Sequence, residues 1–186
     1  MRGAAGHPAA LTHYNSPHAP PKAPTRPHLD NPTLQVTKAT EAHAQQIMTW
    51  FPDEHSCRVW GGPAFRFPFT PESFLTDSKL AELPSYVLLR DPAELCAFGQ
   101  FYLRAGRCHL GRLAVAPTQR GRGIGTQLIR MLVREGTKTL GVTESSLFVH
   151  ITNTSAMALY QRLGFKCATY PEPDLMLPNS YYMIAS

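Results

Sequence analysis

Residues 113–136, "LAVAPTQRGRGIGTQLIRMLVREG", join an apolar, strand-like run to a helix-like run through three alternating glycines and two arginines. A helix N-terminus presents backbone N–H groups without intrahelical partners and carries partial positive charge, so it suits phosphate oxygens. Gly121, Gly123 and Gly125 leave the amides of that turn bare, and Arg120 and Arg122 add charge beside them. The junction reads either as a pyrophosphate cradle or as a glycine-rich turn with solvated arginines. Two other phosphate motifs do not fit. The dinucleotide fingerprint G-x-G-x-x-G fails because Thr126 stands at its third glycine and the flanking strands read as antiparallel. The P-loop fails because no Gly-Lys-Ser/Thr follows.

Upstream of the junction, "SYVLL", "LCAFGQFYL" and "CHLGRLAVA" are three strand-like runs separated by the turns "RDPAE" and "RAGR", which predicts an antiparallel meander. Further upstream, "LQVTKA" reads as a strand. "TEAHAQQIMTWF" reads as a helix starting near Thr40, with Glu41 in its first turn. The segment 52–83 mixes turn residues with aromatics and predicts one helix, after Thr70-Pro71. Downstream, Ile124, Leu128 and Leu132 share a helix face, with Gly136 read near the helix end. "SSLFVHI" reads as a strand, and Asn153 can cap a helix whose apolar positions Ala156, Leu159, Tyr160 and Leu163 repeat until Gly164. "FKCATY" and "SYYMIA" read as closing strands. The order is α+β, with a mixed, mostly antiparallel central sheet flanked by helices.

Composition bounds the alternatives. The chain has 186 residues, suited to one domain, and a formal net charge of +5, which favours anionic partners. Residues 1–33 are rich in Pro, Ala and His without apolar periodicity and read as a disordered tail; residues 34–186 read as the folded domain. Cys57, Cys96, Cys108 and Cys167 show neither zinc spacing nor a dense disulfide pattern, so a cytoplasmic setting and no metal site are expected. No apolar run of about 18 residues occurs, so no membrane span is expected.

"VAPTQRGRGIG" followed by "NTSAMALYQRLGF" resembles the two hallmark blocks of the GNAT superfamily of acyl-CoA N-acetyltransferases. The first block matches the Arg/Gln-x-x-Gly-x-Gly/Ala signature through Arg120, Gly123 and Gly125. The second matches through Asn153, Ala156, Leu159, Tyr160, Gly164 and Phe165. The resemblance implies a splay between the two central strands, with acetyl-CoA as cosubstrate lying in the gap. It places pantetheine on the backbone of Leu113, Ala114 and Val115. It places the pyrophosphate on the amides of Arg120, Gly121, Arg122, Gly123, Ile124, Gly125 and Thr126. Asn153 would contact the pantetheine arm, a role compatible with capping its helix. Tyr160 would protonate the departing CoA thiolate, against the alternative of a core tyrosine.

Many members of the superfamily carry a glutamate base twelve residues before that tyrosine; here the position holds Phe148. Serotonin N-acetyltransferases, members of the same superfamily, carry a histidine on the cofactor strand six residues before the position of Val115. The resemblance makes His109 the expected base, and imidazole titrates near neutrality; His150 and a water chain are the alternatives. The acceptor is expected to be a primary amine: a protein N-terminus, a lysine or a small molecule. Its site is expected from Trp60, Phe65, Phe67 and Phe69 with Asp53 and Glu54 nearby, against ordinary aromatic packing. A catalytically silent acyl-CoA-binding domain is the rival reading. A nucleic-acid binder fits less well, because the basic residues cluster at the proposed cofactor turn. A monomer or homodimer is expected.

Overall fold

Strands β2 (Ser85–Leu89), β3 (Leu95–Arg104) and β4 (Arg107–Val115) form the expected meander. The β3–β4 hairpin closes on Ala105 and Gly106 at φ 48° and 72°, the left-handed pair that a tight two-residue turn between twisted strands requires. These elements belong to a computed structural model that describes residues 34–186; the expected tail, residues 1–33, lies outside the described residues.

β1 (Gln35–Lys38) pairs with β2. After β4 come β5 (Ser145–His150), β6 (Lys166–Ala168) and β7 (Ser180–Ala185), giving the sheet order β1-β2-β3-β4-β5-β7-β6. Every neighbouring pair is antiparallel except β4–β5. That parallel ladder is short: Cys108, His109 and Leu110 pair with Ser145, Ser146 and Leu147, and no register partners follow. Beyond it, residues 111–115 and 148–150 diverge, which is the expected splay. β4 also carries one extra residue against β3, since Phe98 opposes Ala114 while Gln100 opposes Gly111. The bulge centres on Arg112, at φ 49°.

Two cores sandwich the sheet. Helices α4 (Ile124–Leu140) and α5 (Thr154–Arg162) cover one face through Leu128, Leu132 and Tyr160, packed with Phe101, Leu110 and Leu147. Helices α1 (Glu41–Met48), α2 (Glu54–Gly61) and α3 (Pro71–Ser78) bring Ile47, Cys57 and Phe74 against Val87 and Phe98 on the other. Thr40 and Thr70 cap α1 and α3 through reciprocal boxes with His43 and Ser73.

Two readings of the sequence are corrected. The segment 52–83 holds two helices, because Asp53 accepts from the Ser56 amide and opens α2, which Glu54 and Arg58 then brace at i,i+4. Gly136 does not end α4. The helix runs to Leu140 and stops at Gly141, whose φ of 67° is the usual left-handed terminator. Gly136 is instead a packing residue: a Cβ there would collide with Cys108 Sγ and crowd the Phe101 ring. Gly136→Ala is therefore expected to destabilise the fold by about 1–3 kcal/mol, despite alanine's better helix propensity. Urea unfolding checks this; a variant as stable as the parent would contradict the packing role.

Candidate functional site at the open strand pair

The glycine turn folds as a bare concavity. Gly121 and Gly123 sit at φ 75° and 78°, and a Cβ at either position would meet nothing within 4 Å. Gly123 caps α4 without any side-chain hydrogen bond, so the first amides of a 17-residue helix are left for a ligand. Arg120 and Arg122 are exposed on either side of Gly121. The turn is fixed from beneath. Gln119 is buried, receives a hydrogen bond from Arg90 Nη2 at 2.8 Å and donates to Glu94. Gly125 does something else: a Cβ there would press on Leu159 and Val115, so this glycine lets α5 approach the start of α4. Ile124 is a buried anchor, and Thr126 is half-buried.

The gap beside the turn offers free backbone. The Ala116 amide donates across to Cys96 O on β3 at 2.9 Å. By strand alternation Ala114 turns its peptide groups the same way, while those of Leu113 and Val115 face the splay. Arg120 Nε reaches Val115 O at 3.3 Å, marking the outer end of that edge.

Asn153 caps α5, its Oδ1 accepting from the Ala156 amide at 3.3 Å, which leaves its amide nitrogen free to donate. Tyr160, two turns along α5, is only 8% exposed. Burial pushes its phenol up to about 12, so it remains protonated at neutral pH.

His109 departs from expectation. It lies on the paired part of β4, one residue before the ladder ends, and is 2% exposed. Its Nδ1 is 2.9 Å from Ser146 Oγ, and the Tyr102 and Phe148 rings lie 5.2 and 5.1 Å from its own. Desolvation, with the Arg104 charge added, pushes its pKa down to about 3. The reading of His109 as a base titrating near neutrality is thus corrected: the imidazole is neutral throughout the physiological range. Because the folded pKa lies below the unfolded value of about 6.5, the unfolded chain binds the extra proton. Stability is full above that value and is lost as pH falls from there towards 3, by on the order of 4–5 kcal/mol. His109→Gln is expected to flatten this acid branch in urea titrations; an unchanged branch would contradict the burial argument.

Two arginines lie near His109 and at the bulge. The Arg104 guanidinium lies 4.9 Å from the Phe148 centroid and 5.3 Å from that of Tyr170, whose hydroxyl accepts from its Nε at 2.8 Å. Arg112, in the bulge, donates to Gln100 Oε1 at 3.0 Å and to Asp77 O at 2.8 Å. Sequence reading missed both arginines; the unusual residue Phe148 was the available signal for the first. Asp77 itself is held by the bidentate Arg66, which keeps its carboxyl below the usual range.

The expected acceptor residues are mostly structural. Phe65 is buried, Trp60 stacks 4.3 Å from Phe51, and Phe69 packs edge-on to Phe74 at 5.2 Å. Asp53 is an N-cap and Glu54 pairs with Arg58. His150, half-exposed at the end of β5, faces His55 of α2 at 6.5 Å, but its Nδ1 is engaged by Thr152 Oγ1 at 2.8 Å. Among the described residues no cluster of three metal-ligating side chains occurs, and no helix is long and apolar enough to cross a membrane.

Known proteins resemble this chain in sequence or in fold. An uncharacterized N-acetyltransferase, YobR of Bacillus subtilis, is 35% identical over 81 residues, 44% of this chain; the match spans only 32% of that relative. The aminoglycoside acetyltransferase AAC(6')-Ib, solved with paromomycin and acetyl-CoA, superposes with a TM-score of 0.64 at 20% identity, covering 83% of this chain and 93% of its own. The PaiA N-acetyltransferase of Thermoplasma acidophilum, solved with coenzyme A, gives 0.58 at 15% identity, covering 83% and 99%. Both share the fold of this chain. Residues 44–165, which span the bulged strand, the glycine turn and the Asn153–Tyr160 helix, match the acetyltransferase (GNAT) family, and the chain belongs to that family.

Proposed function

We propose that the protein transfers acetyl from acetyl-CoA directly to a primary amine, both bound at once across the β4–β5 gap. The observation that carries this reading is the coincidence of the ladder's end at Leu110 and Leu147 with the open, positive-φ glycine turn at the far end of the same strand. In this reading the amides of residues 120–126 hold the pyrophosphate, with Arg120 and Arg122 adding charge. The outward peptide groups of Leu113 and Val115, flanking Ala114, and the Asn153 amide align the pantetheine arm. Tyr160 gives its proton to the departing thiolate.

Phe148 stands where many members carry glutamate, so that position supplies no carboxylate to take the amine's proton. We assign the proton to water at the mouth of the gap. The acceptor is a primary amine of unspecified scaffold. Initial rates over a grid of both substrates test the direct route. Intersecting double-reciprocal lines are expected, whereas parallel lines would indicate an acetyl-enzyme and overturn the ternary complex.

A further inference from the structure

The bulge in β4 is built from both faces of the sheet. Opposite it stands Gly99 of β3, where a Cβ would collide with Leu132 and Leu113, so this glycine makes room for the extra residue on the α4 face. On the other face Arg112 acts as a tether. It occupies the left-handed region at φ 49°, where glycine is the unstrained choice. Its guanidinium donates to Gln100 Oε1 at 3.0 Å and to Asp77 O at 2.8 Å. Gln100 is fully buried and donates in turn to Ser78 O at 3.0 Å and Ser85 Oγ at 2.8 Å. Asp77 and Ser78 close α3, where end carbonyls lack intrahelical partners and the partial negative charge favours a cation. Arg112 Nε, meanwhile, is buried with no partner. The backbone strain and the unpartnered nitrogen both cost stability. Such outliers persist where the surrounding structure over-determines them, and they cluster at functional sites.

The bulge sets the phase of the strand beyond it. Gly111 opposes Gln100 upstream, whereas Ala114 opposes Phe98 downstream, one residue out of step with an unbroken ladder. Strand alternation has a period of two, so this offset decides which peptide groups turn to β3 and which turn to the gap. We propose that Arg112 is a positioning residue for acetyl transfer: by tying the bulge to Gln100 and to the end of α3, it holds the Leu113 and Val115 peptide groups towards the gap. The inference rests on the reading that this edge aligns the pantetheine arm. Arg112 acts through the backbone, and no contact with either substrate is assigned to it.

Arg112→Gly and Arg112→Lys, made in the full chain, test this role. Glycine accepts the left-handed backbone without strain and removes the tether. Lysine keeps the strain and the charge but lacks the planar fork that reaches two acceptors. Arg112→Gly is expected to bind acetyl-CoA at least tenfold more weakly by calorimetry at unchanged stoichiometry, with kcat at least tenfold lower; Arg112→Lys is expected to lose less. Amide exchange over residues 111–116, followed without ligand, should quicken at least tenfold in Arg112→Gly while that of β5 and β7 stays parental. A role in stability alone would lower the melting temperature or the bound stoichiometry and leave the dissociation constant of the folded molecules unchanged. That result, or parental exchange over residues 111–116, would overturn the positioning role. If the glycine variant does not fold, the lysine variant is judged by the same criteria. A parent that fails to bind acetyl-CoA would overturn the transfer reading and this role with it, whereas a parent that binds beside an equally tight variant would overturn the role alone.

Discussion

Gly123→Glu is expected to abolish acetyl-CoA binding while leaving the fold in place. The position is at φ 78°, where a residue with a Cβ is strained by about 1–2 kcal/mol, and the space above it is empty, so nothing in the core must move. The damage falls on the ligand. The glutamate side chain would project from the cap of α4 into the concavity proposed to hold phosphate, and its charge would repel the pyrophosphate. A loss of at least a hundredfold in affinity by calorimetry is the expected result, with thermal unfolding shifted by only a few degrees. Gly123→Ala separates the two contributions, since it adds the strain without the charge and should lose far less. Unchanged affinity in a folded Gly123→Glu protein would remove the cradle from the account.

Tyr160→Phe is expected to leave acetyl-CoA affinity within a few-fold of the parent and to lower kcat by roughly 10²–10⁴. A proton delivered to the CoA sulfur as it departs neutralises the thiolate, and the Tyr160 phenol, raised to about 12 by burial, holds its proton at neutral pH and has one to give. The ring would stay as packing against Phe165, 6.1 Å between centroids, so the substitution removes the hydroxyl and little else. Steady-state kinetics with a saturating amine make the comparison. A kcat within threefold of the parent would make Tyr160 a core residue of α5 and nothing more.

The local structure around the candidate site was legible because its parts are local. The glycine turn, the Asn153 cap and the Tyr160 spacing are each written within a dozen residues, and each depends on backbone geometry that the local sequence dictates. What escaped depends on residues distant in the chain. His109 looked like a base because strand alternation does not report what covers a face; Tyr102, Phe148 and Ser146 converge on it only once β3, β4 and β5 are assembled. Arg104 reaches Phe148 and Tyr170 across 44 and 66 positions of sequence. Helix α2 was missed for a different reason. Pro52 and Asp53 read as a turn, yet Asp53 followed by Ser56 and the Glu54–Arg58 pair are the signals of a capped helix. Gly136 was mistaken for a stop because nothing in its own segment reveals Cys108 and Phe101 lying against it.

Release of coenzyme A from acetyl-CoA, followed by thiol titration with the amine-free hydrolysis rate subtracted, tests the central claim most directly. Across a panel of primary amines, the account predicts release that saturates with at least one amine, yields the acetylated amine in equal amount by mass spectrometry, and disappears in Gly123→Glu. Tight binding of acetyl-CoA with no amine-dependent release from any member of a panel spanning peptides, lysines, polyamines and aminoglycosides would contradict it, and would leave an acyl-CoA-binding domain in its place.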